Sequence, residues 1–213
     1  MKKQNKRHFY IVLGLLAAFV LWTAAIRMID VQTIGPGGST VGFAALNRLF
    51  HSLTGVHMTL YTITDWLGLV PIAFALGFTI LGLVQWIGRK HLFKVDRSIL
   101  ILGGFYLVVM AVYALFELVV INYRPVLIAG FLEASYPSST TLLVLTVMPS
   151  AMLQLHGRIR NPILRRCVML AILAFIAFMV IGRLVSGVHW LTDIIGGVLL
   201  SAGLVLMYRF LSK

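Results

Sequence analysis

Near the C-terminal end of the chain, Arg183, His189 and Asp193 stand within a stretch otherwise apolar enough to lie in a membrane. Ionisable groups at membrane depth are costly unless they are paired or face water, so their presence asks for a chemical reason. His189 and Asp193 are spaced i, i+4, and if the chain is helical from Trp190 onward they share a face. The carboxylate is then expected to accept a hydrogen bond from one imidazole nitrogen. The other ring nitrogen keeps its lone pair, which a nucleophile or general base requires. Arg183 and Arg124 each present a planar fork of donors suited to phosphate oxygens.

Pro137 and Ser138 stand where another apolar run begins, proline being suited to the first helical turn and serine to the cap. The free N–H groups and positive dipole end of that helix, around Ser138, Ser139 and Thr140, would add an anion cradle. Each feature alone is ordinary: interfacial histidines join aromatic belts, span-end arginines snorkel, and Pro-Ser often only caps. Together they predict a phosphate site.

The elements that must position these residues follow from composition. Of 213 residues, 60% are hydrophobic and 11% charged, and the mean hydropathy is +0.98. These values exclude a soluble globular domain. The single cysteine, Cys167, excludes an internal disulfide, and no Cys/His cluster has the spacing of a structural zinc site. Neither a metal nor another cofactor is expected. A net charge of +12 does not predict nucleic-acid binding, because the basic residues punctuate apolar runs instead of forming a stripe.

Apolar runs extend over Phe9–Ile26, Trp66–Ile87 and Ile99–Phe116, against the 17 to 25 residues or so that cross a bilayer. Three less uniform runs are Ser139–Leu155, which contains Pro149, Cys167 to about Val185, and Trp190 to about Phe210. The predicted fold is therefore all-α: a polytopic membrane protein, a six-helix transmembrane bundle forming one domain over residues 1–213. Lys2, Lys3, Lys6, Arg7, Arg89, Lys90, Lys94, Arg97, Arg158, Arg160, Arg165, Arg166, Arg209 and Lys213 fall on one side of this topology. The positive-inside rule makes that side, with both termini, cytoplasmic. The first run exceeds the 7 to 15 residues or so of a signal-peptide core, and reads as a span.

The longest outer connection covers about residues 27–65. Within it Gly35-Pro36-Gly37-Gly38 is a turn, and Ser39-Thr40 could cap a short helix repeating Phe43, Leu46, Leu49, Phe50 and Leu53 on one face. Lying flat on the outer membrane surface and packing on the bundle as a small cap fit this spacing equally. The topology alone gathers Glu117, Arg124, residues 136–140, Arg183, His189 and Asp193 at the outer ends of the spans, a motif region of 117–193.

These residues resemble the type 2 phosphatidic acid phosphatase superfamily, whose signature is K-x6-R-P, P-S-G-H and S-R-x5-H-x3-D. Arg124-Pro125, Pro137-Ser138, Arg183, His189 and Asp193 match in order and spacing. The resemblance implies a metal-free phosphatase with His189 as nucleophile through a phosphohistidine, Asp193 as its orienting partner, and Arg124 and Arg183 as phosphate clamps. It implies membrane lipids as surroundings and a lipid phosphate or prenyl diphosphate as substrate, at the outer face of a cell membrane.

Four positions depart: Glu117 replaces the lysine, Ser139 the glycine, Thr140 the histidine acid and Gly182 the serine. Glu117 is expected either to hold an arginine or, protonated, to act as the acid. Losing a general acid costs about 10² to 10⁴ in rate. The loss weighs less on a diphosphate, whose leaving phosphate has a second pKa near 6, than on an alkoxide about as basic as hydroxide, conjugate to water at about 15.7. A degenerate member that binds lipid phosphates without hydrolysing them is the rival expectation, favoured by Thr140 and disfavoured by the His189/Asp193 pair. A transporter is disfavoured, since corresponding broken helices are missing from the two halves.

Overall fold

The computed structural model describes residues 2–212, with side chains from residue 6 onward. Lys213 and the side chains of Lys2 and Lys3, read above as cytoplasmic, lie outside the described residues. Eight α-helices form among the described residues: α1 (Lys2–Met28), α2 (Ala44–Thr54), α3 (Met58–Leu67), α4 (Leu69–Arg89), α5 (Arg97–Leu118), α6 (Ser139–Arg158), α7 (Pro162–Val185) and α8 (Leu191–Leu211). A short antiparallel hairpin, β1 (Gln32–Thr33) with β2 (Thr40–Val41), pairs Gln32 with Val41.

Five stretches are long and apolar enough to cross a membrane: Lys6–Met28, Met58–Arg89, Arg97–Leu118, Pro162–Val185 and Leu191–Leu211. The run expected over Ser139–Leu155 is not among them. It is α6, a helix of 20 residues that buries Thr140, Thr141, Thr146, Ser150 and Gln154. α6 packs on α4, α5, α7 and α8, so its surroundings are protein, and polar groups are tolerated there because neighbours satisfy them. Thr146 Oγ1 donates to the Leu142 carbonyl at 2.7 Å, and Gln154 Nε2 donates to the Ser98 carbonyl at 3.1 Å.

The connection that follows α1 is shorter than expected. α3 and α4 form one apolar stretch of 32 residues interrupted at Gly68, so residues 58–65 belong to that stretch. The short helix foreseen around Phe43–Leu53 is α2, but Ser39 and Thr40 do not cap it. The N-cap is Phe43, in the left-handed region at φ 50°, and the Asp30 carboxylate accepts the Ala45 N–H at 2.7 Å. A carboxylate near free N–H groups at a helix start is favoured by both hydrogen bonding and the dipole. α2 rests on α8 with Asn47 fully buried, while Leu46, Leu49 and Leu53 point outward.

The helix at the centre is α8, packed on α1 and α6. Small residues permit this: a Cβ on Gly203 would stand 2.7 Å from Leu16 of α1, and one on Gly196 would stand 2.4 Å from the Tyr136 ring. Tyr136 is itself tied to α1, stacking on Phe19 and sharing a 2.7 Å hydrogen bond with Thr23. The start of α8 is clamped from α1 and α2. Asn47 Oδ1 accepts the Thr192 N–H at 3.3 Å, Asn47 Nδ2 donates to Thr192 Oγ1 at 3.0 Å, and Trp22 Nε1 donates to the Thr192 carbonyl at 3.2 Å.

The turn between α7 and α8 is held against the α2–α3 connection. His51 Nε2 lies 3.2 Å from the Gly187 carbonyl oxygen. Gly187 has φ 70°, and a Cβ there would meet the Gly55 carbonyl at 1.9 Å. Gly187→Ala should therefore destabilise the protein by about 2 to 4 kcal/mol, combining left-handed strain with overpacking. Thermal unfolding in detergent checks this against Gly88→Ala, whose Cβ enters open space and should leave the midpoint unchanged.

Candidate active site

Between α5 and α6 the chain folds back on itself. Tyr123 pairs with Ala134 and Ile128 with Phe131 as antiparallel bridges, and Ser135 N–H donates to the Asn122 carbonyl at 2.9 Å. This ribbon carries Arg124 on one arm and Glu133 and Ser135 on the other. Arg124 is 7% exposed, and its Nε lies 3.1 Å from Glu133 Oε2. That contact is an ion pair without hydrogen-bond alignment, and Arg124 Nη1 has no partner.

Arg183, in the last turn of α7, is 1% exposed. Its Nη2 donates to Asp65 Oδ1 of α3 at 2.8 Å and to Thr140 Oγ1 of α6. Its Nε and Nη1 are buried without partners, and its guanidinium carbon sits 4.9 Å from the Tyr61 ring centroid. α3 comes close because α7 carries glycine at 182, where a Cβ would stand 2.8 Å from Thr64. The departure at Gly182 and the pairing of Arg183 with Asp65, the residue after Thr64, are thus one piece of packing.

His189 is in the α7–α8 turn and Asp193 in the first turn of α8, 3% and 0% exposed. The expected direct bond between them is absent: Nδ1 stands 3.8 Å from Asp193 Oδ2. Ser135 occupies the intervening position. Its hydroxyl donates to Asp193 Oδ2 at 2.5 Å, which leaves its oxygen to accept Nδ1–H of His189 at 3.0 Å. Asp193 also accepts the Trp190 N–H at 2.9 Å and Asn122 Nδ2 at 3.2 Å. Its carboxylate serves α8's N-terminus as well as the serine, and so is held away from the ring.

Imidazole Nε2 is buried without a partner. Burial pushes the His189 imidazole down from 6.5 to about 4; Asp193 opposes this, and the positive charges of Arg124 and Arg183 add to it. At neutral pH the ring is therefore uncharged, with its proton on Nδ1 and its lone pair on Nε2.

Arg124, Arg183, Glu117, Ser139 and Thr140 line one cavity of about 660 Å³ together with Asp65 and Glu133. His189 and Asp193 are buried outside that lining. Ser138 does not line it either. It holds the N-cap position of α6 without a side-chain cap bond, and its Oγ accepts from Thr141 Oγ1 at 3.0 Å. Its N–H donates to the Asp193 carbonyl at 3.2 Å, which ties the start of α6 to that of α8. Pro137 lies one residue before this cap, joined to Tyr136 by a cis peptide bond, and not in the first turn. Ser139 and Thr140 are the first helical residues, whose N–H groups lack intrahelical partners by position.

Glu117 lines the cavity at the end of α5 but does not hold an arginine, because Glu133 and Asp65 take that place. These two carboxylates, Tyr61, Ser135 and Asn122 were missed by the sequence reading. Asp65 did carry a signal, as the one acidic residue between Met58 and Arg89. Ser135 and Asn122 carried none, being ordinary polar residues of a connection.

The sequence model of the PAP2 superfamily matches residues 37–213. The fold is similar to the crystal structure of the first transmembrane PAP2-type phosphatidylglycerolphosphate phosphatase from Bacillus subtilis, with TM-score 0.60 and 19% identity over 94% of each chain. At that identity the likeness speaks for the fold. No curated protein matches the chain.

Nitrogen NMR of histidine-labelled protein should find His189 protonated at Nδ1 and bare at Nε2 at neutral pH, gaining its second proton only near pH 4. Ser135→Ala removes the acceptor and should mix the two tautomers. A proton on Nε2 in the unsubstituted protein would contradict this geometry.

Proposed function

The chain belongs to the PAP2 superfamily, and on that premise we propose that it is a lipid phosphatase working without a metal ion through a phosphohistidine at His189. The observation that carries the reading is the grouping of a buried imidazole with a bare Nε2 and two buried guanidiniums with unpartnered N–H groups. Buried polar atoms are nearly always satisfied in a merely structural cluster. Here the free positions are one lone pair and several cationic donors, the set that a phosphoryl group satisfies.

Nε2 attacks phosphorus, and the bond to the leaving oxygen breaks with its electron pair going to that oxygen. Charge developing on the ring is relieved as Nδ1–H leans on Ser135, whose own proton points at Asp193. Water then attacks the phosphohistidine, releasing phosphate and restoring the ring. Arg124 and Arg183 hold the phosphoryl oxygens, while Asp65 and Glu133, with side chains 56% and 42% exposed, turn to water. Glu117, on the same cavity wall, is the candidate proton donor to the leaving group.

Thr140 is a poor proton donor and is engaged with Arg183, which favours the substrate that tolerates a weak acid best. That is a prenyl diphosphate, expelling a phosphate monoester in place of an alkoxide. Occupation of this position by threonine is also the one observation favouring a second reading, a lipid-phosphate-binding protein without turnover. In the membrane we place six crossings, with α6 as the one sheathed by the others. Both termini and the basic α4–α5 and α6–α7 connections face the cytoplasm, and the site opens at the outer face of the cell membrane.

Phosphate release from a panel of lipid monophosphates and diphosphates tests this. Turnover should fall by at least about three orders of magnitude in His189→Ala, and its acid limb should follow a group near pH 4 instead of 6.5. Equal release by both proteins removes the enzyme reading. Vanadate bound by both without any release establishes the binder.

A further inference from the structure

Two guanidiniums from different elements share one aromatic ring. The central carbon of the Arg183 fork, on α7, lies 4.9 Å from the centroid of the Tyr61 ring. That of the Arg124 fork, on the ribbon, lies 5.8 Å from the same centroid. Both distances fall within the roughly 6 Å at which the negative face of a ring attracts a cation. Two like charges gathered at one place repel each other, and the ring offsets part of that cost. All three side chains line the polar cavity.

The ring is fixed more firmly than the carboxylates that pair with the forks. Tyr61 stands one turn into α3, between two points at which this helix is fastened to α7. Before it, the His57 N–H donates to the Ser186 carbonyl at 2.9 Å. After it, Thr64 is buried against Gly182. Asp65 and Glu133, in contrast, are half-exposed. In an empty site they can draw the forks outward toward water, and a ring on a pinned helix opposes that movement. The break at Gly68 has a use here: a segment independent of α4 can lie against α7 and present Tyr61 and Asp65, spaced i, i+4, on one face.

Building on the phosphate site of the proposed phosphatase, we propose that Tyr61 is a positioning residue, whose ring holds Arg124 and Arg183 in their bound arrangement before the phosphoryl group arrives. A site whose competent arrangement is only partly populated binds more weakly by that fraction. Loss of the ring therefore shows as lost affinity for the phosphoryl group and not as lost chemistry at His189.

The test is vanadate binding by the full-length protein in detergent, read beside thermal unfolding and phosphate release. Tyr61→Leu keeps apolar bulk without an aromatic face and should bind vanadate about tenfold more weakly, and Tyr61→Phe should restore the affinity. Mono-, di- and trifluorophenylalanine placed at the same position then withdraw negative charge from the ring face by steps, with little change of shape. Affinity should fall at each step, to about tenfold below that of Tyr61→Phe at the trifluoro ring, and KM for a lipid phosphate should rise in parallel at constant kcat. A ring that only packs gives equal affinity across the fluorinated series whose members all fold, and that result overturns the proposal. Vanadate affinity that follows the series without any phosphate release upholds the role of Tyr61 and removes the phosphatase reading. No vanadate binding by the unsubstituted protein removes both.

Discussion

Arg183 is a full positive charge at 1% exposure in a protein whose outer surface meets hydrocarbon, and most of the site can be understood as the consequence of compensating it. Removing a guanidinium from water is costly unless a partner of opposite charge and further acceptors surround it. Asp65 supplies the charge, Thr140 an acceptor and Tyr61 an aromatic face. Bringing Asp65 into range requires α3 to lie against α7, and that approach requires Gly182. Two of the departures from the superfamily signature, at positions 140 and 182, thus serve a single charge.

The same constraint explains the site's division into two compartments. The guanidinium forks line the cavity beside half-exposed carboxylates, whereas the imidazole is buried next to them, its Nδ1 side held by a lattice of Ser135, Asp193, Asn122 and Trp190. Charged groups are kept where water or an anion can reach them, and the neutral ring where its single lone pair is held fixed. Ser135 joins the compartments because it sits on the ribbon that also carries Arg124 and Glu133.

Much of this was legible in the amino-acid order. Apolar runs gave the helices, and costly charge at membrane depth pointed to Arg124, Arg183, His189 and Asp193. What was illegible depended on contacts across the bundle. Ser135 stands far from His189 in sequence, and a spacing argument cannot see a third group inserted between two residues one turn apart. α6 was the weakest span in the sequence because its environment is protein, a property of its neighbours and not of its own residues. Glu117 was given an arginine as one of its two roles because it stands at the signature's lysine position, where an unpaired carboxylate would repel phosphate, while Glu133 reached Arg124 by the folding back of a ribbon that carries no strong turn signal.

The clamp on the start of α8 joins the two extremes of the chain. Trp22 and Asn47 hold Thr192, and α1 lies along α8, so among the helices described the earliest finds its main partner in the latest. The bundle is therefore closed like a ring only once α8 is in place, although Phe19 and Trp22 of α1 also meet Phe116, Tyr136 and Phe43. The turn bearing His189 takes its place at that closure, because it leads directly into the start of α8 that Trp22 and Asn47 hold.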